Sequence, residues 1–201
     1  DVYTRQILGY GMIPSVVFDI VELPENFKKI HPFLTLISSM FLHGGWMHLI
    51  GNMAYLYIFG DNIEDSMGKL RFIVFYLMCG IFAAFSQALI DVNSITPMIG
   101  ASGAISGILG GYLVLFPKAK IRVFFWFLIF IRTFNIPAMY VIGGWIFIQF
   151  FNLTDSSSSN VAYAAHIGGF VSGMILILFF KKIISQTKKK LTKGTLPDGN
   201  Y

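Results

Sequence analysis

The sequence has little charge and almost no cysteine. Only 12% of its 201 residues are charged, whereas 55% are hydrophobic and 21 are phenylalanine. So few polar residues cannot form a polar surface around a hydrophobic core in water. The composition therefore excludes a soluble globular domain and indicates an integral membrane protein. The single cysteine, Cys79, lies in an apolar run. An intrachain disulfide is therefore excluded.

The formal net charge of +5 does not indicate a nucleic-acid partner. Six lysines lie between Lys181 and Lys193, directly after an apolar run. Such a position is typical of a basic cluster that flanks a membrane span and lies against anionic headgroups. The partner that this charge predicts is the lipid bilayer.

Hydropathy predicts five membrane crossings. They cover residues 46–59, 72–90, 99–116, 138–151 and 161–180. Residues 1–35 contain no span, because glycine and proline interrupt their apolar stretch and charges follow; we expect an interfacial extracytoplasmic loop region there. The stretch 123–131 does not fit a further crossing. We expect it to be interfacial on the cytoplasmic side or an oblique lead-in, with Pro137 breaking the helix before the next crossing.

Basic residues set the predicted orientation. Lysines and arginines fall on alternate loops, first at 69–71, then at 118–122, then at the C-terminus. By the positive-inside rule these loops are cytoplasmic. We predict a multi-pass protein of the bacterial inner membrane, with a transmembrane core over residues 36–182 and a basic cytoplasmic tail over residues 183–201.

Four polar side chains lie inside predicted spans: His48, Asn52, Ser102 and His166. Polar groups at membrane depth are costly unless they are partnered, so each is a functional candidate. Ser102 lies 16 residues from Lys118, and His166 lies 15 residues from Lys181. These separations correspond to about 24 Å and about 22 Å of helix, so both side chains are expected at one depth.

This coincidence favours nucleophilic catalysis. A serine hydroxyl needs a base within hydrogen-bond reach, and a neutral imidazole such as His166 is suited to that role. Ser102 follows Gly100 and Ala101 at a predicted helix start, where free backbone N–H groups favour a developing oxyanion. His48 and Asn52 are four residues apart and share a helix face.

The motifs resemble those of the rhomboid intramembrane serine proteases. They are Gly100-Ala101-Ser102-Gly103, His166-Ile167-Gly168-Gly169-Phe170 and the run from His43 to Met53. The resemblance implies that Ser102 is the nucleophile and His166 the general base of a dyad without an acidic third member. It also implies an oxyanion hole made by His48, Asn52 and the Ser102 backbone N–H. His43, Gly100 and Gly103 are expected to support the site.

The same resemblance implies an all-α polytopic helix bundle whose protease core, residues 36–182, cleaves single-pass transmembrane proteins near the extracytoplasmic face. No metal or other cofactor is implied. The family core has six transmembrane helices and about five are found here, so we expect a chain truncated before residues 1–35. Some members carry a tyrosine one turn after the nucleophile, packed on the histidine. Ser106 stands there in this sequence, so the ring must be supported otherwise.

Two other classes of function stay open. A non-catalytic membrane-protein binder or chaperone of the same fold would lack the nucleophile or base, whereas this chain keeps both. A transporter or metal carrier would use His43, His48 and His166. No acidic residue lies near them within the spans and no His-Glu-x-x-His motif occurs, which argues against zinc. Ser102 as a mere packing residue and His43 as a structural hydrogen-bonding residue are the simpler interpretations.

Overall fold

The computed structural model describes residues 2–127, 130–154 and 161–194. Its fold is a helical bundle, which confirms the predicted class. The longer helices are α1 (Val2–Tyr10), α4 (Trp46–Tyr55), α5 (Asp61–Met67), α6 (Lys69–Ile90), α7 (Ser102–Leu115), α8 (Ala138–Thr154) and α9 (Tyr163–Gly194). Between α1 and α4 lie two four-residue helices, α2 (Pro14–Val17) and α3 (Thr35–Ser38), the latter flanked by 3-10 turns. A π-helical turn, Leu56–Gly60, joins α4 to α5.

Helix α7 forms the centre of the bundle, between α6 and α9. Every residue from Gly103 to Tyr112 is buried. A Cβ on Gly169 or Gly173 would collide with the backbone carbonyl of Gly103 or Gly107 respectively, so the two main chains touch directly. Glycine at these positions therefore permits the backbone-to-backbone approach that the small-residue stripe of α7 predicted.

Membrane crossing is clearest for two described helices. By length and apolar character, α6 and the Tyr163–Lys182 part of α9 can span a bilayer, and the bent pair Pro32–Phe41 and Trp46–Met67 adds a third span if it counts as one. Helices α7 and α8 are apolar but shorter. The 14 residues of α7 rise about 21 Å, less than the roughly 30 Å of a hydrocarbon core. A helix this short can begin below one membrane surface.

The segment before α8 forms strands that the sequence analysis does not predict. Within the stretch 123–131, expected to be interfacial or an oblique lead-in, the described residues belong to an antiparallel hairpin of β1 (Lys120–Phe127) and β2 (Phe130–Pro137). Its strands are rich in branched and aromatic residues, which favour extended backbone. Pro137 ends β2 and α8 begins at the next residue, as the proline break predicted.

The N-terminal region packs on the loop that leads into α7. No described helix within residues 2–35 exceeds the nine residues of α1, which is too short to span a bilayer. The backbone of Met12 exchanges two hydrogen bonds with Met98, at 3.1 and 2.7 Å, and the Ser15 amide donates to Ser94. These bonds hold the 91–101 loop in place directly before Ser102.

Two longer stretches of the sequence lie outside the described residues. They are residues 155–160, which include the serine run 156–159, and residues 195–201 of the predicted basic tail. Helix α9 continues through the predicted tail boundary at residue 182 and ends at Gly194.

Candidate active site

Ser102 and His166 meet where α7 and α9 begin. Ser102 is the first residue of α7, and His166 lies in the first turn of α9. Although they are 64 positions apart in sequence, Oγ of Ser102 lies 2.9 Å from Nε2 of His166. The hydroxyl therefore has an imidazole nitrogen within the reach that proton transfer requires.

The second imidazole nitrogen of His166 also has a partner. Nδ1 lies 2.7 Å from Oε1 of Gln149 on α8. The ring further contacts Trp145, with centroids 5.8 Å apart, and the edge of Tyr163 at 6.4 Å. Ser106 gives the ring no such support, because its hydroxyl donates to the Ser102 carbonyl at 2.6 Å. The support expected in place of the family's tyrosine thus comes from α8 and from α9 itself.

Gly100 shapes the entrance to α7. Its φ of +123° lies in the region that favours glycine, and its amide donates to the Ser39 carbonyl at 2.9 Å. A Cβ at this position would lie 2.7 Å from Cε1 and 2.8 Å from Nε2 of His48. The absence of a side chain therefore lets the His48 ring lie directly over the turn before Ser102.

His48 is oriented as a donor toward this turn. The Gly44 amide donates to its Nδ1 at 3.3 Å, so a neutral His48 carries its proton on Nε2, the atom that faces Gly100. The His43 ring packs edge-on against it, with centroids 5.2 Å apart. His43 Nε2 is buried and has no hydrogen-bond partner among the described residues. The structure therefore places His43 beside His48.

Asn52 supplies a second donor. Its side chain is 7% exposed, and its Nδ2 has no hydrogen-bond partner within the part of the chain that the structure describes. Leaving a buried donor unpaired costs roughly 1–3 kcal/mol. A Cβ on Gly100 would lie 3.9 Å from this nitrogen. The amide is thus directed at the same turn as His48, where an acceptor oxygen of a ligand would pair with it.

Backbone groups of α7 complete the arrangement. The first N–H groups of a helix have no intrahelical partner, and the helix dipole favours negative charge near them. Ser102 occupies this position, and Gly103 behind it packs against α9. Three kinds of donor therefore lie around the turn at Gly100 that leads into Ser102: the His48 ring, the Asn52 amide and the start of α7.

Sequence reasoning missed Gln149 at this site, and it missed a second glutamine, Gln87, whose contact is with the α9 backbone rather than with a site side chain. Gln149 touches His166, and Gln87 of α6 accepts a hydrogen bond from the Ala165 amide at 3.2 Å. Both are amides within apolar helices, which is the same signal that singled out His48, Asn52, Ser102 and His166. The polar-residue criterion would have found them had it been applied to amides on every span.

Metal ligands are not grouped here. Among the residues that the structure describes, no three His, Cys, Asp or Glu side chains lie close enough together to hold an ion. His43 and His48 are neighbours, but no third ligand joins this pair within the described ranges. The geometry therefore offers the metal-carrier alternative no support.

Comparison with known sequences identifies the family. The family model for the Rhomboid domain matches residues 31–183, which is most of the chain. The chain therefore belongs to the rhomboid family, as its motifs predicted, and is an integral multi-pass membrane protein.

Individual relatives agree with this membership. Rhomboid protein 1, mitochondrial, of Saccharomyces cerevisiae is 26% identical over 200 residues, covering 89% of this chain and 54% of the relative. Presenilin-associated rhomboid-like protein, mitochondrial, of Rattus norvegicus is 26% identical over 209 residues, covering 94% and 52%. RHOMBOID-like protein 4 of Arabidopsis thaliana is 32% identical over 142 residues, covering 70% and 32%. The chain spans about half the length of these relatives or less. All three are eukaryotic, so the predicted bacterial membrane gains no support from them.

Proposed function

We propose that this chain is an intramembrane serine protease that hydrolyses peptide bonds of single-pass transmembrane proteins near the extracytoplasmic membrane face. The observation that carries the proposal is the 2.9 Å hydrogen bond between Ser102 Oγ and His166 Nε2. It occurs in a member of a family that consists generally of intramembrane serine proteases. The donors around Gly100 support the same conclusion.

Acylation begins when Nε2 of His166 accepts the hydroxyl proton of Ser102 while Oγ attacks the carbonyl carbon of the scissile bond. The carbonyl electrons move onto oxygen, and the oxyanion accepts hydrogen bonds from the Ser102 backbone N–H, His48 Nε2 and Asn52 Nδ2. Collapse of this intermediate breaks the C–N bond. The imidazolium of His166 gives its proton to the leaving amine, and an acyl-enzyme remains on Ser102.

Deacylation repeats the sequence with water. The neutral His166 accepts a proton from a water molecule as its oxygen attacks the ester carbon. The second oxyanion is held by the same donors, and its collapse returns the proton to Ser102 Oγ and releases the new carboxyl group. Because water is consumed, the site must be reachable from an aqueous phase, which suits a helix α7 too short to reach both membrane surfaces.

Orientation follows from the charge pattern rather than from the fold. With the basic loops on the cytoplasmic side, the start of α7 lies at the extracytoplasmic side and the C-terminus in the cytoplasm. The lipid bilayer and single-pass membrane proteins are the partners that this geometry suits. We assign no metal or other cofactor to the reaction.

Active-site labelling tests the proposal. We expect the full-length protein, reconstituted in liposomes, to react with a fluorophosphonate probe at Ser102 and to lose this labelling in Ser102→Ala and in His166→Ala. Ser172→Ala is the matched control, since Ser172 is another serine beside the α7–α9 contact and its hydroxyl donates to the Gly169 carbonyl at 2.8 Å. Absence of labelling in the wild type, together with retention of bound membrane proteins, would instead indicate the non-catalytic binder.

A further inference from the structure

Gln149 is a buried amide on a mostly apolar helix, α8. Its side chain is 8% exposed, whereas nearby Phe147 and Phe150 are 70% and 61% exposed. Burying an amide away from water is unfavourable unless both its donor and its acceptor are bonded. The partners of Gln149 therefore explain why α8 carries an amide at this depth.

Those partners fix which way the amide points. Nε2 of Gln149 donates to the Trp145 carbonyl, one turn earlier on α8, at 3.4 Å. A carbonyl can only accept, so the nitrogen of the amide must face Trp145 and the oxygen must face His166. Since Oε1 is an acceptor, Nδ1 of His166 must be the donor in their 2.7 Å hydrogen bond.

This bond determines the tautomer of His166. A neutral imidazole with its proton on Nδ1 has a lone pair on Nε2, and that is the nitrogen 2.9 Å from Ser102 Oγ. In the opposite tautomer Nε2 carries the proton and cannot accept one from serine. The amide of Gln149 thus favours the only neutral form of His166 that can act as a base toward Ser102.

We propose that Gln149 is the positioning residue of the site, a neutral third member whose carbonyl oxygen holds His166 in the Nδ1–H tautomer and in the plane that faces Ser102. This proposal rests on the proposed protease function. It deepens the predicted dyad, which lacked an acidic third residue, by giving it an uncharged one. A carboxylate in the same place would carry a buried charge, which is costly at membrane depth, whereas an amide oxygen accepts the same hydrogen bond without it.

The position of Gln149 links the base to α8. His166 lies on α9, but its orienting oxygen lies on a different helix, so the bond exists only while α8 is seated against α9. Any displacement of α8 by the length of a hydrogen bond frees Nδ1. The orientation of the base is therefore a property of the closed bundle.

Two substitutions separate this role from packing. Gln149→Leu keeps the approximate volume and removes the acceptor, and Gln149→Glu keeps an acceptor oxygen whether or not it is ionised. The matched control is Gln87→Leu, which removes the other amide beside α9 but leaves the His166 ring untouched. Cleavage of a single-span reporter by the full-length protein in liposomes should show kcat lowered about tenfold in Gln149→Leu with KM unchanged, and near wild-type kcat in Gln149→Glu and Gln87→Leu.

A spectroscopic measurement reads the tautomer directly. In protein labelled with ¹⁵N-histidine, the ring signals that are lost in His166→Ala are assigned to His166. Their ¹⁵N chemical shifts should show a proton on Nδ1 in the wild type and a mixture of tautomers in Gln149→Leu. A proton on Nε2 in the wild type, or a folded Gln149→Leu protein with unchanged kcat, would overturn the proposal. If Gln149→Leu does not fold, the wild-type shifts decide. A wild type that neither cleaves nor labels at Ser102 but shows the Nδ1–H tautomer would defeat the protease function while leaving the positioning bond established.

Discussion

Gly100 and His48 are so close that no side chain fits between them. A methyl group on Gly100 would meet two atoms of the imidazole at 2.7 and 2.8 Å, and the backbone there has a φ of +123°. Two independent constraints, one steric and one conformational, therefore require glycine at this point. The residue next to it in space is the donor that we assign to the oxyanion hole.

Substituting Gly100 should therefore damage activity more than stability. We expect Gly100→Ala to displace His48 and lower kcat on the order of 10²-fold or more, with roughly 1–3 kcal/mol lost from the free energy of unfolding. The control is Gly51→Ala, on the same helix as His48, where an added Cβ meets nothing within 4 Å. Both variants are compared by reporter cleavage and by thermal unfolding. Equal activity in Gly100→Ala and Gly51→Ala would contradict a functional contact between Gly100 and His48.

Site substitutions should fall into two groups. Ser102→Ala, His166→Ala and the double variant should all lose nearly all activity, because each disables the same covalent step and such effects do not add. His48→Ala and Asn52→Ala should retain detectable cleavage, reduced on the order of 10²- to 10³-fold, because other oxyanion donors remain. The measurement is single-span reporter cleavage in liposomes. Wild-type turnover in Ser102→Ala would exclude a serine protease.

Trp145 and Phe147 should differ although both are large aromatic residues on α8. Trp145 packs on the His166 ring at 5.8 Å, whereas Phe147 is 70% exposed at the bundle surface. We expect Trp145→Ala to lower kcat severalfold and Phe147→Ala to leave it unchanged, by the same cleavage assay. A larger loss in Phe147→Ala would mean that the exposed face of α8 takes part in the reaction.

Chelators should not affect the reaction. The described residues contain no cluster that could hold a metal ion. In the proposed mechanism His166 accepts and returns every proton, so no metal-bound water is needed. Reporter cleavage should be the same before and after treatment with 1,10-phenanthroline or EDTA. Inhibition that added zinc reverses would revive the metal-dependent alternative and remove the need for the Ser102 hydroxyl as nucleophile.

Topology can be tested at the two ends of α7. Asn93 and Lys118 are both exposed, and the native Cys79 is fully buried, so an introduced cysteine should be the reactive thiol. In intact cells an impermeant thiol reagent should label Asn93→Cys and not Lys118→Cys, since the basic loop is predicted to be cytoplasmic. The opposite pattern would invert the orientation and move Ser102 to the cytoplasmic side.

The pairing of Ser102 with His166 could be anticipated because each stands at a similar distance from a basic membrane boundary on its own helix. The role of Gln149 could not be obtained that way. Its importance depends on which neighbour its oxygen faces, and a sequence does not give the rotation of α8 about its axis. Only the contacts of Gln149 with Trp145 and His166 fix that rotation.

The β hairpin was missed for a different reason. Hydropathy alone does not distinguish a β-strand from an interfacial segment in an aromatic-rich run such as 121–127. Aromatic residues are favoured in both. The branched residues Ile121 and Val123 were a strand signal, but a strand is stable only with its partner, and nothing local identifies residues 130–137 as that partner.

The glycine contacts between α7 and α9 also bear on how the protein can diverge. The main chains of Gly103 and Gly169 are in direct contact. No side chain lies between them, so no change of side-chain size during evolution can alter their spacing. The separation of Ser102 and His166 is thereby insulated from substitutions elsewhere. Under the function proposed above, the outer face of α8, the hairpin and the N-terminal helices could accept new residues, and substrate preference could change with them, while the Ser102–His166 geometry stays the same.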